Sequence, residues 1–211
     1  MSTKALVTAG PTYEAIDPVR FIGNHSSGKM GYELAKALFD QGYEVTLVSG
    51  PTNLEDPQGV KVIRVQSAQE MYEACLAEYE SVQVAIFAAA VADYTPKNVS
   101  DIKIKKSEDE FSIELKRTKD IAKEMGKLKK QGQINVGFAL ETNDSYTNAV
   151  KKLSSKNFDF VVLNSLSKDN ACFGVDQNKI TILEHNNQID FEFKSKTLIA
   201  KDIVSHIEKL R

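Results

Sequence analysis

The sequence has few cysteines, no excess of basic residues and no long apolar run. Its two cysteines, Cys75 and Cys172, are too few and too scattered for a disulfide framework or a zinc site. The formal net charge is −2, whereas a nucleic-acid-binding domain is usually basic as a whole. No stretch is apolar for the length of a membrane span, and the chain shows no signal peptide. These absences predict a cytoplasmic protein without a nucleic-acid or membrane partner.

What is present is an alternation of apolar runs and amphipathic segments. It extends over 211 residues, the size of one α/β domain with a substantial core. The patterns predict strands at residues 5–9, 45–49, 60–65, 82–90, 135–140 and 158–164, and helices at 30–41, 67–79, 145–156, from about 120 and from 196 onward. Strands alternating with helices build a doubly wound, mostly parallel sheet with helices on both faces. We therefore interpret residues 1–211 as a single Rossmann-like α/β domain.

Two alternating segments predict antiparallel hairpins added to this sheet. The first consists of the runs 102–106 and 111–115 on either side of a charged turn. The second extends from Lys179 to Phe193 and turns at Asn186-Asn187. Ligands of doubly wound folds bind beyond the carboxyl ends of the strands, at the switch in strand order. The loops after the first, fourth, fifth and sixth strands are therefore the candidate binding regions.

The most informative stretch extends from Asp17 to Gly31 and reads DPVRFIGNHSSGKMG. So many polar and small residues at the entrance to a helix are typical of a loop that receives a phosphorylated ligand, because helix N-termini leave N–H groups unpaired. The stretch resembles a P-loop, but Met30 replaces the magnesium-binding Ser or Thr, and about a dozen residues separate Gly23 from the preceding strand. The dinucleotide fingerprint lacks its first glycine.

Two polar residues of this stretch allow both a functional and a structural interpretation. Arg20 either clamps a carboxylate or phosphate or forms an ion pair with Asp17 or Glu14. Asn24 either donates to a developing oxyanion or serves as a turn or N-cap residue.

The neighbouring residues allow narrower interpretations. Ser26 and Ser27 favour helix caps over nucleophiles, because no His-Asp partner pattern accompanies them. His25 is the only histidine in a promising place, since His185 and His206 have the pattern of surface residues.

Small residues and an aspartate follow the fourth predicted strand, in the run Phe87-Ala-Ala-Ala-Val-Ala-Asp93. Small side chains let a ring or ribose approach the backbone, and Asp93 suits a ribose hydroxyl, an amino group or magnesium. Tight helix–sheet packing would give the same run. The lysines of segment 103–106, together with Lys152 and Lys156, either neutralise a polyphosphate or form solvated faces.

With these residues in view, the chain resembles the phosphopantothenoylcysteine synthetases, also called phosphopantothenate–cysteine ligases. The resemblance covers nearly the full length and rests on motifs in the same order at residues 10–12, 17–22, 24–31, 89–94, 103–106 and 137–142. It implies a ligase of coenzyme A biosynthesis that joins 4′-phosphopantothenate and L-cysteine through an acyl-nucleotide, consuming CTP, or alternatively ATP, with Mg²⁺. It also implies a homodimer, with the second hairpin as a candidate contact, and a separate decarboxylase acting next. No flavin decarboxylase half precedes the motifs, so we expect the stand-alone form.

The same resemblance implies the site residues. Asn24 and Lys103 are the expected catalytic residues, and no residue is assigned as a metal ligand. Residues expected to bind the acyl substrate are Arg20, Asn24, His25, Ser26, Ser27, Gly28 and Ala90. Residues expected to bind the nucleotide are Phe87, Ala88, Ala89, Asp93, Lys103, Lys119, Asp120, Ile121, Ala122, Phe138, Lys152 and Lys156.

The chain departs from the family pattern at two places. Tyr13 stands where arginine is frequent, and Thr118-Lys119 replaces Asn-Pro at the edge that recognises the base. Two other functions remain as alternatives: a NAD(P)-dependent oxidoreductase, disfavoured by the missing GxGxxG turn, and a nucleotide-sensing module that binds CTP without consuming it.

Overall fold

The computed structural model describes residues 2–105, 112–141, 145–165 and 177–211. In chain order the elements are β1 (Lys4–Ala9), β2 (Tyr13–Ala15), β3 (Phe21–Gly23), α1 (Lys29–Asp40), β4 (Glu44–Ser49), β5 (Lys61–Arg64), α2 (Ala68–Tyr79), β6 (Val84–Phe87), β7 (Tyr94–Pro96), β8 (Leu115–Arg117), α3 (Ile121–Leu128), β9 (Ile134–Glu141), α4 (Ser145–Ser155), β10 (Phe160–Ser165), β11 (Gln177–Asn178), β12 (Ile180–Leu183), β13 (Gln188–Asp190), β14 (Lys194–Ser195) and α5 (Lys196–Leu210). The helices and the parallel strands lie within a few residues of their predicted positions.

The main sheet has eight strands in the order β13-β12-β10-β9-β6-β1-β4-β5. The strands from β10 to β5 are parallel to their neighbours. Strands β12 and β13 join the β10 edge in antiparallel orientation. The predicted fold class, a doubly wound and mostly parallel sheet, is therefore confirmed.

Strand β1 lies at the switch in strand order. The chain passes from β1 to β4 and β5 on one side and returns through α2 to β6 on the other side. Two loops therefore leave neighbouring strands in opposite directions and open a crevice at their carboxyl ends. A parallel bridge between Pro11 and Ala90 joins the beginnings of these loops. The loops after β1 and after β6, which both carry candidate site residues, therefore start next to each other.

Helices cover both faces of the sheet. On one face α1 packs against α5, and Leu34 and Ile203 are fully buried there. On the other face α2, α3 and α4 bury Met71 and Leu153. Each large apolar side chain buried in this way contributes about 1.5–3 kcal/mol relative to exposure. Cys75 is also fully buried, which confirms its place in the core, and burial raises the pKa of its thiol to about 12.

Capping side chains fix where α2 and α3 begin. The Ser67 hydroxyl accepts a hydrogen bond from the Glu70 amide across 3.2 Å, as the sequence indicates. The Glu70 carboxylate accepts from the amide of Gln66. Asp120 accepts from the Lys123 amide across 3.1 Å at the start of α3. These bonds satisfy N–H groups that the first helical turn leaves unpaired.

Helix α1 begins differently from the prediction. Its N-cap is Gly28, whose φ of 79° is left-handed, and no side chain caps the helix. The Ser26 hydroxyl accepts from the Gly28 amide within the turn, so the interpretation of Ser26 and Ser27 as helix caps is wrong. The helix also approaches β1 closely, because a Cβ at Gly31 would lie 2.5 Å from that of Ala9. The glycines thus let α1 begin directly above the end of β1.

The second predicted hairpin is confirmed, and the first is paired differently from the prediction. Strands β12 and β13 pair on either side of the turn at residues 184–187. Residues 102–105 form no strand, residues 106–111 lie outside the described residues, and β8 pairs instead with β7. The bond from the Lys97 amide to the Glu114 carbonyl, 2.9 Å long, extends this pairing. Of the two isoleucines in this run, Ile102 is exposed and Ile104 is half-buried, with its backbone bonded to Asp17 and Arg20 instead of to a neighbouring strand.

His206 is buried, whereas the sequence pattern suggested a surface position. Its Nε2 atom lies 3.0 Å from a Glu184 carboxylate oxygen, and its ring meets that of Phe160 edge-on. The helical repeat of α5 turns this residue toward the sheet. His185 is exposed as expected, and Cys172 lies outside the described residues. Within the described ranges, no helix is long and apolar enough to cross a membrane.

Candidate functional site

A cavity of about 470 Å³ lies beside the loop that follows β6. The β7–β8 hairpin, the start of α3 and the end of α4 enclose it. Its walls consist of Thr8, Phe87, Ala89, Val91, Asp93, Tyr94, Arg117, Thr118, Lys119, Asp120, Ile121, Ala122, Phe138, Lys152, Lys156 and Phe158. We call it the first cavity.

The first cavity gathers most of the residues predicted to bind nucleotide. Those in its walls are Phe87, Ala89, Asp93, Lys119, Asp120, Ile121, Ala122, Phe138, Lys152 and Lys156. They come from separate segments that only the fold brings together. Ala88 lines the neighbouring cavity instead, and Lys103 lines neither of the two.

Cationic side chains give the first cavity its electrostatic character. The Lys156 ammonium lies 2.9 Å from an oxygen of Asp120, the N-cap of α3. The Lys119 ammonium lies 4.2 Å from the ring centroid of Tyr72. With Arg117 also in the wall, the cavity concentrates positive charge beside a helix N-terminus. This arrangement suits a ligand with several negative charges.

Asp93 supplies a carboxylate at the rim of this cavity. Its carbonyl accepts a hydrogen bond from the Thr118 amide across 3.0 Å, so the β7–β8 hairpin fixes its backbone. Its side chain is exposed. Magnesium in phosphate sites is usually held by one or two carboxylates together with the phosphates, and Asp93 fits that role. Within the part of the chain that is described, no cluster of three or more His, Cys, Asp or Glu residues could hold a metal.

A second cavity, of about 170 Å³, lies at the N-terminus of α1. Its walls consist of Ser26, Ser27, Gly28, Lys29, Met30, Gly31, Ala88, Ala89, Ala90, Phe138, Ala139, Leu140, Asn164, Asn178 and Lys196. Ser26, Ser27, Gly28 and Ala90 are among the residues predicted to bind the acyl substrate. The second cavity shares Ala89 and Phe138 with the first, so the two adjoin.

Ala90 is where the loops after β1 and β6 meet. Its amide donates to the Gly10 carbonyl across 2.9 Å, and its carbonyl accepts from the Thr12 amide across 3.3 Å. The Asn24 side-chain amide donates to the same carbonyl across 2.9 Å. Asn24 is thus neither a turn residue nor an N-cap, since its side chain crosses to the opposite loop. Asn24 itself is exposed and lines neither cavity, but its partner Ala90 lies in the wall of the second cavity, next to the shared Ala89.

The Asp17 carboxylate ties this region to the lysine segment. It is fully buried and accepts hydrogen bonds from the Arg20 guanidinium across 2.9 Å and from the Ile104 amide across 3.1 Å. Arg20 also donates to the Ile104 carbonyl across 3.0 Å. The bond from Arg20, followed by backbone N–H bonds, holds the pKa of Asp17 well below its usual range despite burial. Of the structural alternatives for Arg20, the ion pair with Asp17 is the one that forms.

Some predicted residues stand apart from both cavities. His25 is exposed and lines neither of them. Lys103 is exposed beside the anchored Ile104, at the edge of the described segment. The Arg20 side chain stays 43% exposed despite its ion pair.

The structure also contributes residues that the sequence did not indicate. Arg117 lies in the first cavity, and Asn164, Asn178 and Lys196 lie in the second. Asn164 is the penultimate residue of a parallel strand, so the rule that ligands bind at carboxyl ends could have found it. Asn178 and Lys196 come together through pairing of the short strands β11 and β14, for which the sequence gives no signal.

Comparison with protein families matches residues 1–210 to the DNA/pantothenate metabolism flavoprotein C-terminal domain. The chain belongs to this family. Members of the family with curated names include the coenzyme A biosynthesis bifunctional protein CoaBC of Bacillus subtilis, which is 47% identical over 97% of this chain. A cysteine/cysteine sulfinic acid decarboxylase from an unknown prokaryotic organism is 52% identical over 97% of the chain. These matches cover 51% and 57% of the two relatives, so the chain spans about half their length.

Two solved structures have the same fold as this chain. The crystal structure of the C-terminal domain of CoaBC superposes with a TM-score of 0.84 at 41% identity, covering 99% of this chain and 95% of that one. Cab2 in complex with phosphopantothenate-cysteine has a TM-score of 0.75 at 16% identity, covering 98% and 87%, which shows a shared fold. The resemblance to the phosphopantothenate–cysteine ligases, inferred from motifs, is therefore confirmed as family membership.

Proposed function

We propose that this chain joins 4′-phosphopantothenate and L-cysteine into 4′-phosphopantothenoylcysteine through an acyl-nucleotide intermediate. The observation that carries the proposal is the contact between the two cavities, which share Ala89 and Phe138. A cationic cavity for a nucleoside triphosphate adjoins a second one, and the Asn24 amide is hydrogen-bonded to Ala90 in the wall of that second cavity. An acyl group at this junction can be activated from one side and attacked by an amine without leaving the protein, which preserves its orientation.

The names of the relatives support this chemistry. The CoaBC proteins are named for coenzyme A biosynthesis, and the Cab2 structure contains phosphopantothenate-cysteine. We therefore assign the reaction to coenzyme A biosynthesis. The product retains the cysteine carboxylate, and we propose that a separate decarboxylase removes it in the next step.

In the first half-reaction, the carboxylate of 4′-phosphopantothenate attacks the α-phosphate of the nucleotide. An acyl–phosphate bond forms and pyrophosphate leaves. A free carboxylate is a poor electrophile toward an amine, and this step makes its carbon reactive. Lys119, Lys152 and Lys156 would offset the charge of the triphosphate from the cavity wall, and Lys103 from the adjoining segment. Mg²⁺ arriving with the nucleotide would be held by Asp93 and the phosphates, and would neutralise charge there.

In the second half-reaction, the cysteine amine attacks the acyl carbon and the nucleoside monophosphate leaves. Negative charge develops on the acyl oxygen as the carbon becomes tetrahedral. The Asn24 amide is a donor that can stabilise this charge, an effect worth about 10²–10³ in kcat for a single donor. We assign the remaining acyl-substrate contacts to Arg20, His25, Ser26, Ser27 and Gly28.

We propose CTP as the nucleotide, with ATP as the alternative. The base would lie against the segment Lys119–Ala122, where the first turn of α3 presents backbone groups to the first cavity. We also propose that the protein acts in the cytoplasm as a homodimer. The β12–β13 hairpin is the proposed dimer contact.

Product analysis of the two half-reactions tests the proposal. Purified protein is incubated with 4′-phosphopantothenate and each of CTP, ATP, GTP and UTP, and pyrophosphate is measured before and after cysteine is added. We expect pyrophosphate release that requires both phosphopantothenate and nucleotide, with CTP fastest. Nucleoside monophosphate and 4′-phosphopantothenoylcysteine should form only when cysteine is present.

The same assay separates the alternatives. A nucleotide-sensing module would bind CTP, by calorimetry, without releasing pyrophosphate. An oxidoreductase would change the absorbance of a nicotinamide cofactor. Because one relative is named a cysteine decarboxylase, CO₂ from cysteine is measured as well, and we expect none. A folded protein that releases no pyrophosphate with any nucleotide would exclude the ligase function.

A further inference from the structure

The loop after β6, residues 88–93, has few side chains that could hold its shape. Four of its six residues are alanines. Apart from the bridge at Ala90 it has no regular secondary structure. The loop nevertheless lines both cavities, the first with Val91 and Asp93 and the second with Ala88 and Ala90. Groups outside the loop must therefore hold it in place.

Three threonine hydroxyls bind the backbone of this loop. The Thr8 hydroxyl accepts a hydrogen bond from the Ala89 amide across 3.1 Å, and the Thr12 hydroxyl accepts from the Ala92 amide across 2.9 Å. Both of these threonines are buried and belong to β1 or the loop that follows it. The Thr118 hydroxyl donates to the Ala92 carbonyl across 2.6 Å from the opposite side, between β8 and α3. The loop is thus attached to two separate parts of the fold.

Thr118 makes two bonds to successive residues of the loop. Besides the bond from its hydroxyl to Ala92, its amide donates to the Asp93 carbonyl across 3.0 Å. Ala92 is only 6% exposed, and a buried carbonyl is stabilised by a donor. Thr118 also lies two residues before Asp120, the N-cap of α3. Its hydrogen bonds therefore set the distance between the start of α3 and Asp93.

We propose that Thr118 is a positioning residue that fixes the distance between the two ends of the nucleotide site. The base end is the segment Lys119–Ala122, and the phosphate end includes Asp93; both line the first cavity. Thr118 connects them through the backbone of the β6 loop, without itself binding the base or the phosphates. This inference rests on the proposed ligase function and extends it to how the nucleotide is held.

A fixed distance matters because a nucleoside triphosphate must contact both ends of the site at once. When the two contacts are held at the matching separation, the second forms with little further loss of freedom. Loosening the connection weakens binding of the whole nucleotide but leaves binding of each separate part unchanged. Thr118 replaces the asparagine of the family pattern, so the hydroxyl that makes this bond is a feature of the present chain.

Thr118→Val tests the proposal because it keeps the shape of the side chain and removes the hydroxyl. We expect the Kd of CTP to rise by about threefold to tenfold, the range for loss of one neutral hydrogen bond. Cytidine and inorganic tripolyphosphate, which represent the two ends, should each bind within about twofold of wild type. Calorimetry measures CTP, and NMR titration measures the two parts. If wild-type protein binds ATP more tightly, ATP and adenosine replace CTP and cytidine.

Three further variants sharpen the test. Thr118→Ser keeps the hydroxyl and should restore most of the affinity for the whole nucleotide. Thr118→Ala removes the same hydroxyl with a smaller side chain and tests the proposal independently if Thr118→Val does not fold. Thr95→Val is the control, since it removes a hydroxyl from β7 of the same hairpin, outside both cavity walls, and should bind CTP as wild type does. Circular dichroism melting curves verify folding.

Other outcomes would overturn the inference. If Thr118→Val lowers the Tm but leaves the Kd of CTP unchanged, the role of Thr118 is purely structural. If cytidine or tripolyphosphate alone is weakened as much as CTP, Thr118 acts on that end of the site and does not set the distance. A wild-type protein that binds CTP but releases no pyrophosphate contradicts the ligase function, while the Kd values still decide the role of Thr118. If wild-type protein binds neither CTP nor ATP, both proposals fail.

Discussion

The side-chain amide of Asn24 donates a hydrogen bond to the main-chain carbonyl of Ala90, 2.9 Å away and 66 residues later in the chain. This bond spans the crevice at the switch in strand order, between the loops that leave β1 and β6. It holds the amide against Ala90, which lies in the wall of the second cavity. A donor fixed in advance stabilises developing charge without reorganisation during the reaction.

Asn24→Asp should separate the two half-reactions. The carboxylate cannot donate to the acyl oxyanion, but it leaves the walls of the first cavity intact. We expect pyrophosphate release within about threefold of wild type and amide formation slowed by about 10²-fold or more. Rapid-quench measurement of acyl-nucleotide and amide checks this. Asn186→Asp, in an exposed turn, is the matched control and should behave as wild type. Equal slowing of both half-reactions would exclude this role.

Lys103→Gln should weaken use of the nucleotide without affecting stability. Lys103 is exposed and lies beside Ile104, which Asp17 anchors near the crevice. Loss of one cation from the polyphosphate should lower kcat/KM for CTP by about tenfold. Initial rates at varied CTP measure this, and Lys123→Gln, an exposed lysine of α3, is the control. Unchanged KM and kcat would identify the segment as solvated surface.

Asp17 should make stability depend on pH in the acidic range. Its folded-state pKa lies below the ordinary value of 3.8, so the unfolded chain takes up a proton first as the pH falls. The stabilisation is therefore present above the unfolded pKa and is lost as the pH falls below it. In Asp17→Asn this contribution is absent at every pH, so the variant should be less stable at neutral pH. The difference from wild type should shrink toward about pH 3.

Urea unfolding midpoints at several pH values measure this effect. The control is Asp56→Asn, which removes an exposed ion pair with Arg64. Exposed ion pairs contribute about 0–1 kcal/mol, so this variant should change stability little. A difference between wild type and Asp17→Asn that does not vary with pH would contradict the prediction.

Gly31→Ala should destabilise the protein although Gly31 lies inside a helix. Replacing a helical glycine by alanine usually stabilises by about 0.5–1 kcal/mol. Here the added Cβ would lie 2.5 Å from that of Ala9 and 3.0 Å from the Thr8 carbonyl, so α1 must move away from β1. We expect a net loss of about 1–3 kcal/mol. Urea unfolding measures it, with Lys36→Ala on the exposed face of α1 as the control. If Gly31→Ala were more stable than wild type, the close approach of α1 to β1 would be contradicted.

The order and type of the main elements could be predicted from the sequence because they follow from local patterns. The buried run at 5–9 and the helical repeat at 30–41 are signals within a single window. The predicted pairing of the first hairpin is wrong, because an alternating pattern indicates that a segment is exposed on one side but does not identify the strand with which it pairs. The backbone amide of Ile104 donates instead to the carboxylate of Asp17, 87 residues away, a contact that no local pattern indicates. Short strands such as β2 and β3 are too brief to give a periodic signal.

The sequence by itself determined the doubly wound fold and the family, since both depend on hydrophobic periodicity and on motifs that are contiguous in the chain. It also indicated most residues of the first cavity. Only the tertiary structure decided that this cavity adjoins a second one, that Asn24 crosses to Ala90 and that Arg20 pairs with Asp17. Only the structure brought Asn164, Asn178 and Lys196 to one wall. Such contacts join residues distant in sequence, and their choice depends on how the whole chain packs, which no local pattern records.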